Sequence, residues 1–457
     1  MTRLPASRLA LAFCALVVAT STTYAQTRDP FAGSMLGAPA SQTPVAISFG
    51  DAIERGLRYN LGVIESTTAS AEARSARLRS LAALLPAVSA RAAQVYENLS
   101  LKEFGLTLPG LPPVTGGFGF QDVRVAVAQS VYSGELRNRY RSDASNERAS
   151  GLNARDARDI VVFAVGAAYL KIEASRARLD TATAQLASAQ ELDRLAADRV
   201  RAEVAPEIDS LRAQVERQTA EQRVIDSRND LEKAKLVLAR MIGVAVDQPF
   251  TVDPPVPFQP LAGITEQSVR DAAFRARADL ASAKASREAA EFALRAARAQ
   301  QHPSVGLTAD YGGGGDRTSF NQLYTVAAAV SIPLYTGGRI RADVAQAEQE
   351  LHRRQAEYED VQGRIAYDVR VAWLDLEASS SSVTVAQHNQ ELASRALAQA
   401  QDRYASGVTN YLEVVESQET VTRASESLVA SVYAFNVARL ALARASGDAE
   451  AGVKEFR

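Results

Sequence analysis

The chain contains one long stretch twice. Ala372–Gly447, shifted back by 204 positions, lands on Ala168–Gly243 without a gap. Ala168-Tyr169-Leu170 and Glu173-Ala174-Ser175 face Ala372-Trp373-Leu374 and Glu377-Ala378-Ser379. Asp198-Arg199 faces Asp402-Arg403, Val204 faces Val408, and Gln214 faces Gln418. Roughly a quarter of the aligned positions are identical, which two copies of one structural unit would show. Each copy is Ala-rich, carries charge throughout and reads as helix. Ser406-Gly407-Val408-Thr409-Asn410 is a turn signal within the second copy. Each copy therefore reads as an antiparallel helical hairpin.

In a chain of 457 residues, a repeat this long favours one duplicated architecture over several unrelated domains. The net charge of −2 gives no electrostatic case for nucleic acid. Only 6% of residues are aromatic, which suits long, closely packed helices better than a core of large side chains. Residues 1–25 read as a signal peptide. Arg3 and Arg8 precede the short apolar run Leu9–Ala19, and Thr23-Tyr24-Ala25 is a small-x-small cleavage site. Cys14, the single cysteine, lies inside that segment, so a mature chain has no disulfide or thiolate metal site. Phe13 stands where lipidation wants a small residue, so an exported, non-lipidated protein is expected. No stretch reaches 18 continuous apolar residues, so any membrane-embedded part is expected to be a β-barrel.

Taken in order, residues 26–46 read as a mobile leader. Helix is expected from the N-cap Ser48 to about Leu85, where Pro86 stops it. Pro86–Ser100 and Asp122–Tyr132 alternate apolar and polar residues, as strands do, and Leu101–Gly119 reads as the loop between them. Glu135 to Ala205 is free of proline and reads as one long helix. Pro206 opens its return partner, which ends at Gly243. The first repeat thus spans 47–250 and a Pro-rich linker spans 251–263. The second repeat spans 264–447, before a tail at 448–457. In the second repeat, Pro303 precedes strands around Val305–Tyr311 and Tyr324–Ile332, joined by Gly312–Gly315. The junction Tyr335-Thr336-Gly337-Gly338 matches Tyr132-Ser133-Gly134 and starts the second long helix. The longer gap between proline and tyrosine in the first repeat is assigned to its hairpin loop.

Each long helix has nearly 70 residues, or about 100 Å at ~1.5 Å per residue. Two shorter helices stacked end to end match one long one. Strands then lie at one end and hairpin turns at the other. Four alternating strands cannot stand alone in lipid, because open edges leave unpaired N–H and C=O groups. Strands of about ten residues suit an outer membrane, and three chains pooling four strands each make a barrel of about twelve.

This order of elements resembles the TolC family of outer-membrane efflux proteins over nearly all of the mature chain. The carrying stretches are Asp51-Ala52-Ile53 through Asn60-Leu61, Leu334-Tyr335-Thr336-Gly337-Gly338-Arg339, and Arg403-Tyr404-x-x-Gly407-Val408-x-x-x-Leu412-Glu413 with Gln418. The resemblance implies a mostly α, partly β fold: a homotrimer with a periplasmic α-barrel and a twelve-stranded β-barrel in outer-membrane lipid. It also implies hairpin tips that meet a periplasmic adaptor, itself linked to an inner-membrane pump of proton-driven or ABC type. Carried onto this sequence, the tip residues are Arg199, Val204 and Asp209 in the first repeat. In the second they are Arg403, Tyr404, Gly407, Val408, Thr409 and Glu413. Glu203 stands where Gly407 stands in the copy, and a left-handed turn costs more there, so the first tip is expected to turn differently. Asp198 and Asp402 are candidate entrance carboxylates. Weighed against that, charges on exposed helix faces are usually just solvated.

Gly312–Gly315 lacks the Lys-Ser/Thr of a phosphate loop and reads as a hairpin turn. His302, His352 and His388 have no metal-ligand spacing. No nucleophile–base pattern is present, so neither an enzyme nor a cofactor is expected. The function expected is a passive exit duct of the Gram-negative outer membrane. The alternative is an exported structural or adhesive coiled-coil protein without a channel.

Overall fold

The computed structural model describes residues 29–100, 103, 105, 109, 114–252, 258–259, 263–316 and 319–454. The signal segment with Cys14 lies outside them, as do most of the Pro-rich linker and Pro112 and Pro113 of the first hairpin loop. The first half runs β1 (Val45–Ile47), α1 (Phe49–Tyr59), α2 (Leu61–Ala82), β2 (Ala87–Ser100), β3 (Val114–Tyr132), α3 (Gly134–Arg201) and α4 (Glu207–Ile242). The second runs β4 (Phe250–Val252), α5 (Glu266–Ala276), α6 (Ala278–Ala299), β5 (Ser304–Gly315), β6 (Phe320–Ser331), α7 (Arg339–Ala405) and α8 (Tyr411–Ala445), followed by α9 (Ala449–Lys454).

The long helices have 68 and 67 residues and the return helices 36 and 35. At ~1.5 Å per residue, α3 and α7 are each about 100 Å long. Towards the tips, α3 packs on α4 and α8. Towards the strands it packs on α2 and α6. Buried alanines recur every seven residues on both long helices, at Ala182, Ala189 and Ala196 and at Ala386, Ala393 and Ala400. A seven-residue seam imposes a left-handed supercoil, and alanine lets the backbones approach closely. α8 is the one described helix long and apolar enough to cross a membrane by length and composition. It lies against α3 and α7, with Phe435, Leu440 and Leu442 buried.

The short helices differ from the sequence expectation. Where one helix to about Leu85 was expected, the chain breaks at Asn60, whose ψ of 134° is extended. The second repeat breaks in the same way at Arg277, ψ 124°. Each break seats the end of a return helix. Gly243 (φ 72°) and Gly447 (φ 84°) end α4 and α8. A Cβ at Gly243 would lie 2.5 Å from the Met35 carbonyl oxygen, and one at Gly447 2.8 Å from the Arg277 nitrogen. Asn60 holds the first break from inside. Its Oδ1 accepts from the Gly62 N–H at 2.9 Å, and its Nδ2 donates to the Phe31 and Met241 carbonyls. The expected mobile leader is docked over this break. Met35 N–H donates to Tyr59 O, Leu61 N–H to Gly33 O, and Gly37 N–H to Gly243 O. β1 then pairs in parallel with β4, an element that composition did not signal. Beneath it, Phe49 packs edge-on against Tyr169 at 5.3 Å, and the Tyr169 hydroxyl donates to Ile47 O.

The four long strands form one antiparallel sheet in the order β2-β3-β5-β6. β3 begins at Val114, inside the stretch expected to be loop, so both strands and loop of the first hairpin are longer than those of the second. The register puts Val88, Ala90, Val125, Val127, Ala309, Tyr311, Tyr324 and Val326 on one face. Asp122, Arg124, Asp310 and Thr325 share the other, where Arg124 pairs with Asp122 at 2.7 Å and Asp310 at 3.0 Å. β2 and β6 are open edges, and every residue of β6 is exposed.

Candidate functional site at the paired hairpin tips

Both tips turn by the same backbone motif. In the first, Glu203 N–H donates to Val200 O at 3.0 Å and Val204 N–H to Arg199 O at 3.0 Å. In the second, Gly407 N–H donates to Tyr404 O at 3.0 Å and Val408 N–H to Arg403 O at 2.9 Å. These are the two crossed bonds of a Schellman cap, which needs a left-handed residue at its centre. Gly407 takes that place at φ 77°, and Glu203 takes it at φ 57°. Among the described residues, Glu203 is the one non-glycine with positive φ. The expectation of a different first turn is therefore corrected. The closing hydrogen bonds outweigh the ~1–2 kcal/mol steric cost of the left-handed conformation. Pro206 is the N-cap of α4, one position before the place expected for it.

The two tips share one small core. Leu192 and Ala196 of α3, Ala213 of α4, Ala400 and Tyr404 of α7, and Tyr411 and Val414 of α8 are buried together. Tyr404 and Tyr411 meet edge-on at 5.5 Å. Arg199 reaches from the first tip to the second. Its guanidinium lies 4.7 Å from the centre of the Tyr404 ring, and Nη1 donates to the Tyr404 carbonyl. Burial pushes the phenols of Tyr404 and Tyr411 up from their ordinary range, so both stay neutral. Neither hydroxyl has a hydrogen-bond partner.

The remaining expected residues divide by role. Arg403 pairs with Glu413 at 3.0 Å across the second turn, and the Thr409 hydroxyl also donates to Glu413. Asp209 is buried, 3.8 Å from Arg212 of its own helix. Asp198 is engaged within α3 by Arg201 and by Arg194 at 3.7 Å. The exposed Asp402 supplies its carbonyl to the Ser406 cap. The structure brings Arg199 and Tyr404 together; it does not bring Asp198 and Asp402 together within one chain. Val204 and Val408 are exposed at matching places on the two turns, 64% and 68% accessible. Tyr411 and the cross-helix pair Arg217–Asp193, at 3.0 Å, were not picked out from sequence. Tyr411 sits just past a turn signal, and the local mark of its burial is the helical spacing to Val414 and Val415.

At the opposite end, the strand-to-helix junctions differ from each other. Gly134 is the first residue of α3, behind a Ser133 cap whose Oγ accepts from Leu136 N–H. Gly337 (φ 62°) and Gly338 (φ 86°) both precede α7, so the second junction turns through two left-handed glycines. Tyr132 and Tyr335 are exposed at both junctions.

Comparison with known proteins agrees with this architecture. Residues 269–448 match the model of the family described as outer membrane efflux protein. The chain is similar to the outer membrane efflux protein BepC of Brucella suis, 24% identical over 74% of each chain. It is also similar to the alkaline protease secretion protein AprF of Pseudomonas aeruginosa, 22% identical over 68% of this chain and 66% of AprF. The solved outer membrane protein VceC of Vibrio cholerae superposes with a TM-score of 0.77 at 19% identity, covering 88% of this chain and 96% of VceC. Such proteins sit in the Gram-negative outer membrane with their helical part in the periplasm; residues 269–448 of this chain carry the outer membrane efflux protein domain, and the chain as a whole is similar in fold to the outer-membrane channels of the TolC family.

Proposed function

We propose that the protein is a passive exit duct for efflux or secretion, working as a homotrimer. One observation carries this reading. A four-stranded sheet with an apolar face, a charged face and two open edges runs directly into helices about 100 Å long. An open edge is not tolerated in lipid, so β6 of one copy pairs with β2 of the next, and three copies close a barrel of about twelve strands. The apolar face then meets lipid and the face of Asp122, Arg124 and Asp310 lines the passage. The same ring of copies closes the helices into a tube through the periplasm. A scaffold without a channel has no use for such a sheet.

Energy comes from partners. The tips dock on a periplasmic adaptor, which links the duct to a proton-driven or ABC-type pump of the inner membrane. The exposed Val204 and Val408, presented by two identical turns, support this contact. Around them, Arg199, Asp209, Arg403, Tyr404, Gly407, Thr409 and Glu413 set the shape of the tips. Repeated by three-fold symmetry, Asp198 and Asp402 place carboxylates near the entrance. Relatives named for efflux and for protease secretion are both similar to this chain over most of its length, which supports selection of cargo at the pump. The family consists of channel proteins, and no catalytic step is proposed.

Single-channel conductance of the purified, detergent-extracted protein tests the duct. Stable steps are expected, and protein that is trimeric but never inserts would overturn the reading. Gly407→Pro tests the tip, because φ 77° is closed to proline. The variant is expected to insert and assemble normally but to lose cross-linking to the adaptor.

A further inference from the structure

α3 and α8 belong to different repeats and run side by side. Their seam holds a cavity of about 180 Å³. Leu170, Ala174 and Ala177 of α3 and Leu428, Val432 and Tyr433 of α8 form apolar walls. Asn436, one turn beyond Val432, and the buried Glu173 of α3 also line it. The Asn436 side chain is 2% exposed, and its Oδ1 has no hydrogen-bond partner among the described residues. A buried acceptor left unpaired is unfavourable, and such groups are nearly always matched in native proteins.

The duplicated architecture does not require this cavity. Positions 204 residues before Val432, Tyr433 and Asn436 hold Arg228, Asn229 and Glu232. The apolar α8 wall with its buried Asn436 is therefore particular to the α3–α8 seam. The cavity's volume is close to the ~150 Å³ that accommodates a benzene-sized molecule in a protein cavity.

We propose that this cavity binds a small aromatic molecule carrying one hydrogen-bond donor, of the size of a phenol or an indole. The ring fills the space between Ala174, Ala177 and Val432, and its O–H or N–H donates to Asn436 Oδ1. Such a ligand touches both repeats and restrains α3 against α8. The site is independent of the duct reading and stands or falls separately from it.

Fluorine NMR titration of the full-length, detergent-solubilised protein tests the proposal, with para-fluorophenol and fluorobenzene as probes. Saturable binding of both is expected, the phenol about fivefold tighter, as one hydrogen bond allows. Asn436→Leu is expected to keep ring binding and erase that preference. Ala177→Phe fills the cavity and is expected to abolish binding of both. Val432→Phe fills it from the α8 side and serves if the first filled variant does not fold. Non-saturable uptake, equal affinity for the two probes in the unaltered protein, or binding unchanged in a folded filled variant would each overturn the proposal.

Discussion

Arg199 of the first hairpin tip lies over the ring of Tyr404 of the second, 4.7 Å from the ring centre, and donates to the same residue's carbonyl. The contact spans the two repeats of one chain. It joins the ends of α3 and α7. A Cβ at Gly407 would lie 3.5 Å from Arg199 Nη2, so the second turn also accommodates the guanidinium.

Arg199→Ala removes a partly buried cation–π contact, worth about 0.5–2 kcal/mol, and a charge-assisted hydrogen bond. Opening of the tips is expected to become at least about tenfold more frequent, which corresponds to ~1.4 kcal/mol. Hydrogen exchange of the Arg403–Tyr411 amides measures it. Unaltered protection would show that Tyr404 and Tyr411 hold the tips by packing alone.

Glu203→Gly tests the cost of the left-handed turn. Gly407 fills the same place in the copy without strain. The exchange is expected to stabilise the first tip by about 0.5–1 kcal/mol, after allowing for the greater freedom of glycine in the unfolded chain. The matching Gly407→Ala change is expected to destabilise the second tip by a similar amount. Slower proteolysis at residues 199–207 in the first variant and faster cleavage at 403–411 in the second would bear this out.

These two tips also show what the sequence carries. The seven-residue seam, the alternating strands and the Gly407 turn are local patterns, so they read directly from residue order. Glu203 misled because residue type shows the steric cost of a left-handed turn but not the closing hydrogen bonds and surrounding structure that outweigh it. The breaks at Asn60 and Arg277 were missed for the same reason. Neither is a helix breaker by type, and each break packs closely against a glycine from far along the chain, Gly243 beside Tyr59 and Gly447 beside Arg277. The β1–β4 pair was hidden because three-residue strands are too short to show alternation. Arg199 was singled out, but its partner lies 205 positions along the chain, and no spacing rule connects them.

Arg277 is the structural brace of the second break. Its guanidinium bonds Asp279 at 2.7 Å and Asp368 of α7 at 2.9 Å, with its own side chain only 9% exposed. Removing one member of a largely buried ion cluster leaves the others uncompensated. Arg277→Ala is expected to cost about 3 kcal/mol, and Arg277→Lys to recover little, since a compact ammonium cannot span both carboxylates. Chemical denaturation of the assembled protein would register the loss as a lower midpoint.

Asp159 makes the stability pH-dependent. Burial is the main reason its carboxyl rises to about 6, helped by Asp156, Glu450 and Asp448 and opposed by Arg444. Asp156 is raised too, first by burial and then by Asp279. Nearby, Arg158 pairs with Glu450 at 2.8 Å and ties α9 to α3. A raised folded-state value means that the folded protein prefers the neutral acid. That contribution is full below about pH 4 and is lost as pH rises through about 6. Asp159→Asn is expected to raise the melting temperature near about pH 7.5, with the gain shrinking to nothing near about pH 4. The half-exposed position keeps the effect to about 1 kcal/mol after solvent screening. A gain independent of pH would assign the stabilisation to something other than this carboxyl.

Val125 and Ala126 are neighbours in β3 that face opposite ways. Val125 shares its face with Ala90 and Tyr311, while Ala126 lies directly opposite Asp310 on the other. If the valine face meets lipid, an arginine there costs about 2–4 kcal/mol near the bilayer midplane. The same arginine one residue later points into the passage and finds Asp310. Val125→Arg is therefore expected to abolish membrane assembly, and Ala126→Arg to assemble normally with altered conductance. Heat-resistant trimer in membrane extracts distinguishes them. Equal tolerance of both would mean that the sheet is not embedded. The reverse order would mean that its faces are turned inside out.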